Sequence, residues 1–332
     1  MKKFFLSLVA LMVSATAMFA QSSMLATLSH DGNISTFYGA TALRDAHNAA
    51  AHGDIITLSS GSFVAVNITK AITLRGAGFE VNTELQIEPT VITGDFTIKI
   101  PNDVTQRLTI EGIYHNHDLF YQNSLKNATF IKNRFKKIEY NTDNSTLKNA
   151  TFIHCRIAES LILNSNSTAS CVNCVIVKPY SYDSSSSNFE FQNCILDFKG
   201  YSNPVNSSSL KNCITVWNSD NCRLESSNIA YNCVGIGGSR TYEYMPNTTN
   251  VTKGYDIFTT YRGTYSDSEN FDLTDEAQAT LLGIDGTQVG IYGGSMPFDS
   301  TPTNPQITKC NVAAKSTADG KLSVDITVNG AE

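Results

Sequence analysis

Lys132, Arg134, Lys136 and Lys137 form one basic cluster, and Arg156 follows Arg134 by 22 residues. Guanidinium groups take carboxylates and phosphates in paired hydrogen bonds. Two arginines recurring at one structural position repel each other, so they call for an anionic partner or for local acids such as Glu139 and Glu159. A second group lies between Tyr242 and Phe271, where Tyr244, Tyr255, Phe258, Tyr261 and Tyr265 are set among Gly, Asn, Thr and Asp. Tyrosines on irregular segments can stack on sugar rings while their hydroxyls hydrogen-bond. The expected ligand-binding residues are therefore Lys132, Arg134 and Arg156 on a basic face, and Tyr244 and Tyr261 on the aromatic segment. The bland reading is a solvated face with Glu139 and Glu159 as counter-charges, and aromatics that fill space beneath a segment draped over its neighbours. Cys171 and Cys174 are a single Cys-x-x-Cys pair with no second pair, so no metal and no cofactor is expected.

The chain has 332 residues and opens MKKFFLSLVALMVSATAMFAQ, two lysines and an apolar run ending in small residues, which reads as a signal peptide over residues 1–20. The first cysteine is Cys155, so none follows the apolar run to take a lipid, and no later stretch reaches the roughly 18 apolar residues of a span. The expectation is a secreted, extracellular or cell-surface protein, or a periplasmic one, most simply a monomer. Lys plus Arg number 24 against 30 acids, a formal charge of -6, which excludes the basic stripe of a nucleic-acid binder.

The elements that must position these residues announce themselves by repetition. LKNATFI occurs at 125–131 and again at 147–153, and the alignment on its asparagine continues through CVNCVIV, FQNCILD, LKNCITV and AYNCVGI. The aligned asparagines are Asn127, Asn149, Asn173, Asn193, Asn212 and Asn232, each followed by Ala or Cys. A fluctuating period near 20 is that of a solenoid and is too short for helical repeats. Short β-branched and aromatic runs between polar stretches make each unit strands and turns. Stacked in register, the asparagines should form a ladder of side-chain amides pointing inward at a turn, with Cys174, Cys194, Cys213 and Cys233 as a buried file beside them. Cys155, Cys222 and Cys310 fall off that file in this alignment.

From Thr41, the stretch TALRDAHNAAAHGDIITLSSGSFVAVNITKAITLRGAG places a short amphipathic helix before a Gly-Asp turn and two strands. It resembles the N-terminal cap and first rungs of the right-handed parallel β-helix (pectate-lyase-like) superfamily. LLGIDGTQVGIYGGSMPF, 281–298, resembles the closing rung of exported bacterial β-helix proteins. The resemblance implies an all-β chain: a 21–40 lead-in, a right-handed parallel β-helix solenoid over 41–298 with a helical N-terminal cap and roughly 11 rungs, a Pro-rich linker at 299–305 and a short C-terminal β segment at 306–332. Hydrolases of this fold carry NTD, DD, GHG and RIK motifs, and only Asn141-Thr142-Asp143 is present. The W-x-D-H and R-x-P-x-x-R motifs of the calcium-dependent pectate lyases are missing. A lyase family acting on alginate- or dermatan-type chains shares the cap, and its chemistry implies a Lys base, an Arg for the leaving group and often calcium. The expected function is therefore non-catalytic binding or adhesion to an extracellular polysaccharide or glycan. The alternative is a polysaccharide lyase or hydrolase acting on uronic-acid-containing chains, the one case in which calcium would be used.

Overall fold

Runs of three to eight residues rich in Val, Ile, Thr and Phe form short strands, and Asn, Ser and Gly corners end them. The computed structural model describes residues 24–83, 87–182, 187–198, 205–217, 224, 227–237, 251–312, 315–317 and 319–329; the expected leader, Tyr244 and Cys222 lie outside these. Among the described residues, no helix is long and apolar enough to cross a membrane.

The strands stack into a parallel β-helix. One sheet holds nine parallel strands from Ile55–Leu58 to Ile229–Tyr231, and hence eight turns. A second runs alongside it from Gly61–Val64 to Val251–Lys253. The expectation of about 11 rungs overshoots because the residues after the Val251–Lys253 strand make no further rung in either sheet. The interior is a continuous file of aliphatic and aromatic side chains, with Phe130 stacked on Phe152 at 4.7 Å and 8°. These are the two Phe of the identical heptapeptides, in direct register. At the start, Leu25–His30 pairs antiparallel with both Asn33–Tyr38 and the first rung, covering its edge. The helix Ala42–Ala49 buries Ala42, Leu43, Ala46 and His47 against this end. Near the chain's C-terminus, Gln306–Val312 and Val324–Asn329 form an antiparallel hairpin.

Between the first sheet and the second, every rung from the third to the last turns through one residue of left-handed backbone. In order these are Gly112, Lys132, His154, Asn173, Asn193, Asn212 and Asn232, with φ from 47° to 65°. Asparagine tolerates this conformation better than other side-chain-bearing residues, which explains its recurrence. The register corrects the sequence alignment. Asn127 and Asn149 also have positive φ, but they occupy a different corner, after Ser124–Lys126 and Thr146–Lys148. There Asn149 Nδ2 lies 3.5 Å from Asn127 Oδ1, and the next member is Thr168, 19 residues on, whose hydroxyl donates to Asn149 Oδ1 at 3.2 Å. Among the described residues, the amide contact thus occurs in that corner and not along Asn173, Asn193, Asn212 and Asn232.

The residue after the left-handed corner points into the coil. This file is Ile113, Asn133, Cys155, Cys174, Cys194, Cys213 and Cys233, so Cys155 belongs to it. Asn133, Cys174, Cys213 and Cys233 each accept from a backbone N–H that the turn leaves unpaired, that of the preceding member of the file. Asn133 Oδ1 accepts from Ile113 N at 3.0 Å, Cys174 Sγ from Cys155 N at 3.3 Å and Cys233 Sγ from Cys213 N at 3.4 Å. The thiols donate in turn to carbonyls 3.2–3.5 Å away, as Cys174 does to Val172 O and Phe152 O. All six described cysteines with a defined environment are free and buried, and burial pushes the thiols of Cys171, Cys174, Cys194, Cys213 and Cys233 well up.

The corner asparagines themselves face outward onto the returning chain. Residues 282–304 run back along the corner as a strap, against the direction of stacking, so 281–298 is not a closing rung. Asn232 Nδ2 donates to Leu282 O at 3.4 Å, and Asn212 Oδ1 accepts from Ile284 N at 2.9 Å. Asn173 Nδ2 donates to Ile291 O at 2.6 Å and Gly293 O at 2.8 Å. His154 Nε2 meets Met296 O at 3.1 Å, Lys132 Nζ meets Asp299 Oδ2 and Thr301 O at 2.7 Å, and Asn304 Nδ2 donates to Gly76 O at 2.6 Å. At Asn193 the strap lies too close for a side chain: a Cβ on Gly293 would stand 2.6 Å from the amide nitrogen.

Two substitutions separate the corner from the strap. Asn173→Ala must hold a left-handed alanine and leaves two buried carbonyls unpaired, so it should lower stability by about 3 kcal/mol, against about 1 kcal/mol for Asn193→Ala, whose amide atoms have no partner. Urea midpoints read the difference, and equal losses would mean that the strap bonds contribute nothing. Alkylation supplies a second check: iodoacetamide should leave Cys174, Cys194 and Cys213 unmodified in the native chain at neutral pH and label them on unfolding.

Candidate functional site

The outward file of the second sheet changes character along its length. In register it reads Val91, Tyr114, Arg134, Arg156, Val175, Ile195, Ile214 and Val234. Val175, Ile195, Ile214 and Val234 are buried although they face away from the coil, because residues 255–298 fold over them as a second apolar layer. Phe258, Tyr261, Phe271 and Phe298 belong to that layer, and Tyr261 is 1% exposed. Its ring packs against Phe258 at 5.1 Å and Phe271 at 4.9 Å, leaving no face free for a sugar. The aromatic segment therefore fills the space beneath a draped chain.

The same segment reaches the arginines. The alignment places the basic face and the tyrosines about five rungs apart, but the chain returns along the solenoid and sets them side by side. Arg134 forms an ion pair with Asp267. Arg156 donates to Glu269 O at 2.7 Å and Asp267 O at 3.4 Å, lies 3.6 Å from Glu80, and has its guanidinium 5.2 Å from the Phe298 ring centre. The Arg134 guanidinium sits 4.2 Å above the Tyr114 ring, a cation–π geometry. Tyr265 lies with them, its phenol pushed up to about 12 by burial against the opposing pull of Arg156 and Arg134.

These groups surround an open cleft of about 780 Å³. Arg134, Arg156 and Tyr114 form the floor, Phe79, Val81 and Pro89 one side, and 267–270 the other. Arg134 Nε, Arg156 Nε and the Tyr265 hydroxyl are buried without a hydrogen-bond partner. The donors of the floor thus exceed the acceptors that the chain supplies.

Of the expected site residues, Arg134 and Arg156 come together at this cleft. Lys132 does not join them; it occupies the left-handed corner and holds the strap through Asp299. Tyr261 is in the second layer, and Tyr244 is outside the described residues. Glu139 and Glu159 pair with lysines: Lys137–Glu139 is 2.6 Å, Lys136–Glu159 is 3.8 Å, and Asp118 adds a 3.1 Å contact to Lys136. The counter-charges of the arginines come instead from Asp267 and Glu80. Tyr114 could have been found by stepping back 20 residues from Arg134 along the repeat. Glu80, Asp267 and Glu269 lie in irregular segments that carry no period. Among the described residues, no group of three His, Cys, Asp or Glu is placed to hold a metal ion.

The strap beside the cleft contains a proton-sensitive contact. Burial lowers the pKa of His154 below 6.5, with Lys132 adding to the effect against the Met296 bond, and Nδ1 has no partner. The unfolded chain therefore binds the proton more readily, so the stability His154 contributes is present above about pH 6.5 and is lost as pH falls below it. Asp299, held below 3.8 by Lys132 and Thr301 against the effect of burial, loses its contribution only at lower pH. Hydrogen exchange over 291–298 should accelerate between pH 7 and pH 5. His154→Asn, which suits the left-handed corner, should remove that acceleration while His47 and His115, also lowered by burial, keep part of the global slope. An unchanged pH response in His154→Asn would show that the strap does not sense this residue.

Compared with known proteins, the chain matches no protein-family model, no curated protein and no solved structure.

Proposed function

We propose that this chain is a secreted or cell-surface β-helix protein that binds carboxylate-bearing polysaccharide without cleaving it, and that the cleft over Arg134 and Arg156 is where it does so. The observation that carries this reading is the pair of arginines stacked on adjacent rungs at the floor of an open cleft, with Nε groups left unpaired. Partly buried guanidinium groups favour carboxylate, because its two oxygens match the fork and the exchange with water costs less than for an ammonium. The apolar side formed by Val81 and Pro89, with Phe79 buried beneath it, offers a surface for the C–H face of a sugar ring, which a bare inorganic anion would not use.

Binding is preferred to lysis on the chemistry of the lining. A uronate lyase needs a base at the sugar C5 and neutralisation of the carboxylate in one groove. The described lining holds arginines for the second task, but neither lysine nor histidine for the first, and its tyrosines are Tyr114 in the floor and Tyr265 beside it.

Calorimetric titration of the chain with polygalacturonate, alginate and a neutral galactan tests the reading. The uronates should bind and the galactan should not, with affinity falling as salt rises. Arg134→Ala or Arg156→Ala should each weaken binding about tenfold to hundredfold, the range expected for a lost charged hydrogen bond of about 1.5–3 kcal/mol. Ultraviolet absorbance of an unsaturated product would replace binding by lysis, and titrations unchanged in both variants would remove the cleft from the function.

A further inference from the structure

The carboxylate already in the cleft belongs to the chain itself. Asp267 pairs with Arg134, yet its own side chain is 55% exposed, while that of Arg134 is 13% exposed. The acid comes in from the solvent side and covers the cation.

The stretch that delivers it is built differently from the layer on either side. Tyr261 and Phe271 are buried in that layer, whereas 266–270 is polar and held by local bonds, Glu269 N to Ser266 O at 3.2 Å among them. Two residues with left-handed backbone bound it, Gly263 at φ 95° and Phe271 at φ 60°. A positive φ is ordinary for glycine and strained for an aromatic residue, and such strain persists only where the surroundings impose it. The segment thus has a swivel at one end, a strained residue at the other and, between them, Tyr265 as its one aromatic contact with the layer, followed by the polar 266–270, which are the features of a part that opens at low cost. The Tyr265 hydroxyl, buried without a partner, would regain water on opening.

We propose that Asp267 stands where a ligand carboxylate binds, and that 264–270 is a closure displaced when a uronate takes its place on Arg134. This rests on the reading of the cleft as a uronate site and adds how the site is gated. In the closed form the Asp267 carboxylate offsets the charge of Arg134. In the open form a sugar carboxylate takes over that role and reaches the Nε groups that Asp267 leaves unpaired. Ligand affinity is then set by competition with an internal acid, and removing the acid strengthens binding.

Two measurements on the full chain separate the closure from the glycan. In the first, no saccharide is present: wild type and Asp267→Asn are treated with phenylglyoxal, which modifies accessible guanidinium groups, and the adducts are mapped by peptide mass. Arg134 should react at least fivefold faster in Asp267→Asn, with Arg44, whose side chain is 55% exposed, reacting equally in both as a check on folding. Equal rates at Arg134 would overturn the closure. In the second, both proteins are titrated with an oligogalacturonate, and Asp267→Asn should bind about tenfold tighter. Equal affinities would mean that Asp267 does not compete, and the proposal fails. Faster Arg134 modification with no binding by either protein would uphold the closure and overturn the uronate reading of the cleft.

Discussion

One left-handed residue per rung is the constraint on which the rest of this structure depends. A corner of that conformation turns the chain sharply from one sheet to the next, and it leaves the following backbone N–H facing an interior with no carbonyl opposite it. From the Lys132 corner onward, the residue after the corner is therefore buried and carries an atom able to accept a hydrogen bond from the rung below. Asn133, Cys174, Cys213 and Cys233 accept such a bond. Thiols are weak acceptors, but in a dry interior an unpaired N–H costs more than a weak bond returns. The corner residue itself is thrown outward, where its side chain is available to whatever lies alongside. Six consecutive outward groups, from Lys132 to Asn232, line a seam, and the strap lies on it.

The strap in turn decides what happens on the outer face of the second sheet. A solenoid whose outward file reads Val175, Ile195, Ile214, Val234 would expose an apolar stripe, and the chain that returns along the corner is tethered at the right place to cover it. Where the file changes to Arg134 and Arg156 the cover changes too, from Phe258, Tyr261 and Phe271 to the polar 266–270. The cleft lies at this change of lining: aromatic cover ends, and the cations continue for two rungs under partial cover.

The fold was legible because parallel stacking puts like residues on like, so the period and the β-branched content were visible in the letters. Register was less so. Leu-Lys-Asn at 125–127 and at 210–212 look equivalent, but the first closes a short strand that pairs only with Thr146–Lys148, while Ser209–Lys211 is a strand of the long first sheet. Aligning the two moved Cys155 off its file and merged two corners into one. The arginine pair was visible by the same stacking logic. What covers it was not, because Asp267 and Glu80 reach the site through irregular chain that obeys no period, and contacts between segments so far apart in the chain leave no local signature. Burial of Tyr261 was illegible for the same reason: a tyrosine among Gly, Asn and Thr reads alike whether it covers a sheet or projects from it.

Electrostatic magnitudes explain why the cleft cannot have a bare floor. Two guanidinium groups one rung apart, about 4.8 Å, repel by something on the order of 3 kcal/mol at an effective dielectric of 20. An exposed ion pair returns at most about 1 kcal/mol, so a single solvent-facing acid does not offset that repulsion. The structure shows the combination needed instead: Asp267 on Arg134, Glu80 and two backbone carbonyls on Arg156, and the Tyr114 and Phe298 rings against the two cations. Each is weak alone, and each approaches from a different segment, so the pair is balanced only after the strap and the second layer have docked. Any ligand that displaces one of these groups must itself bring negative charge, because a neutral one would restore the repulsion. The stacking that places the arginines on adjacent rungs thus selects the charge of what can enter between them and 267–270.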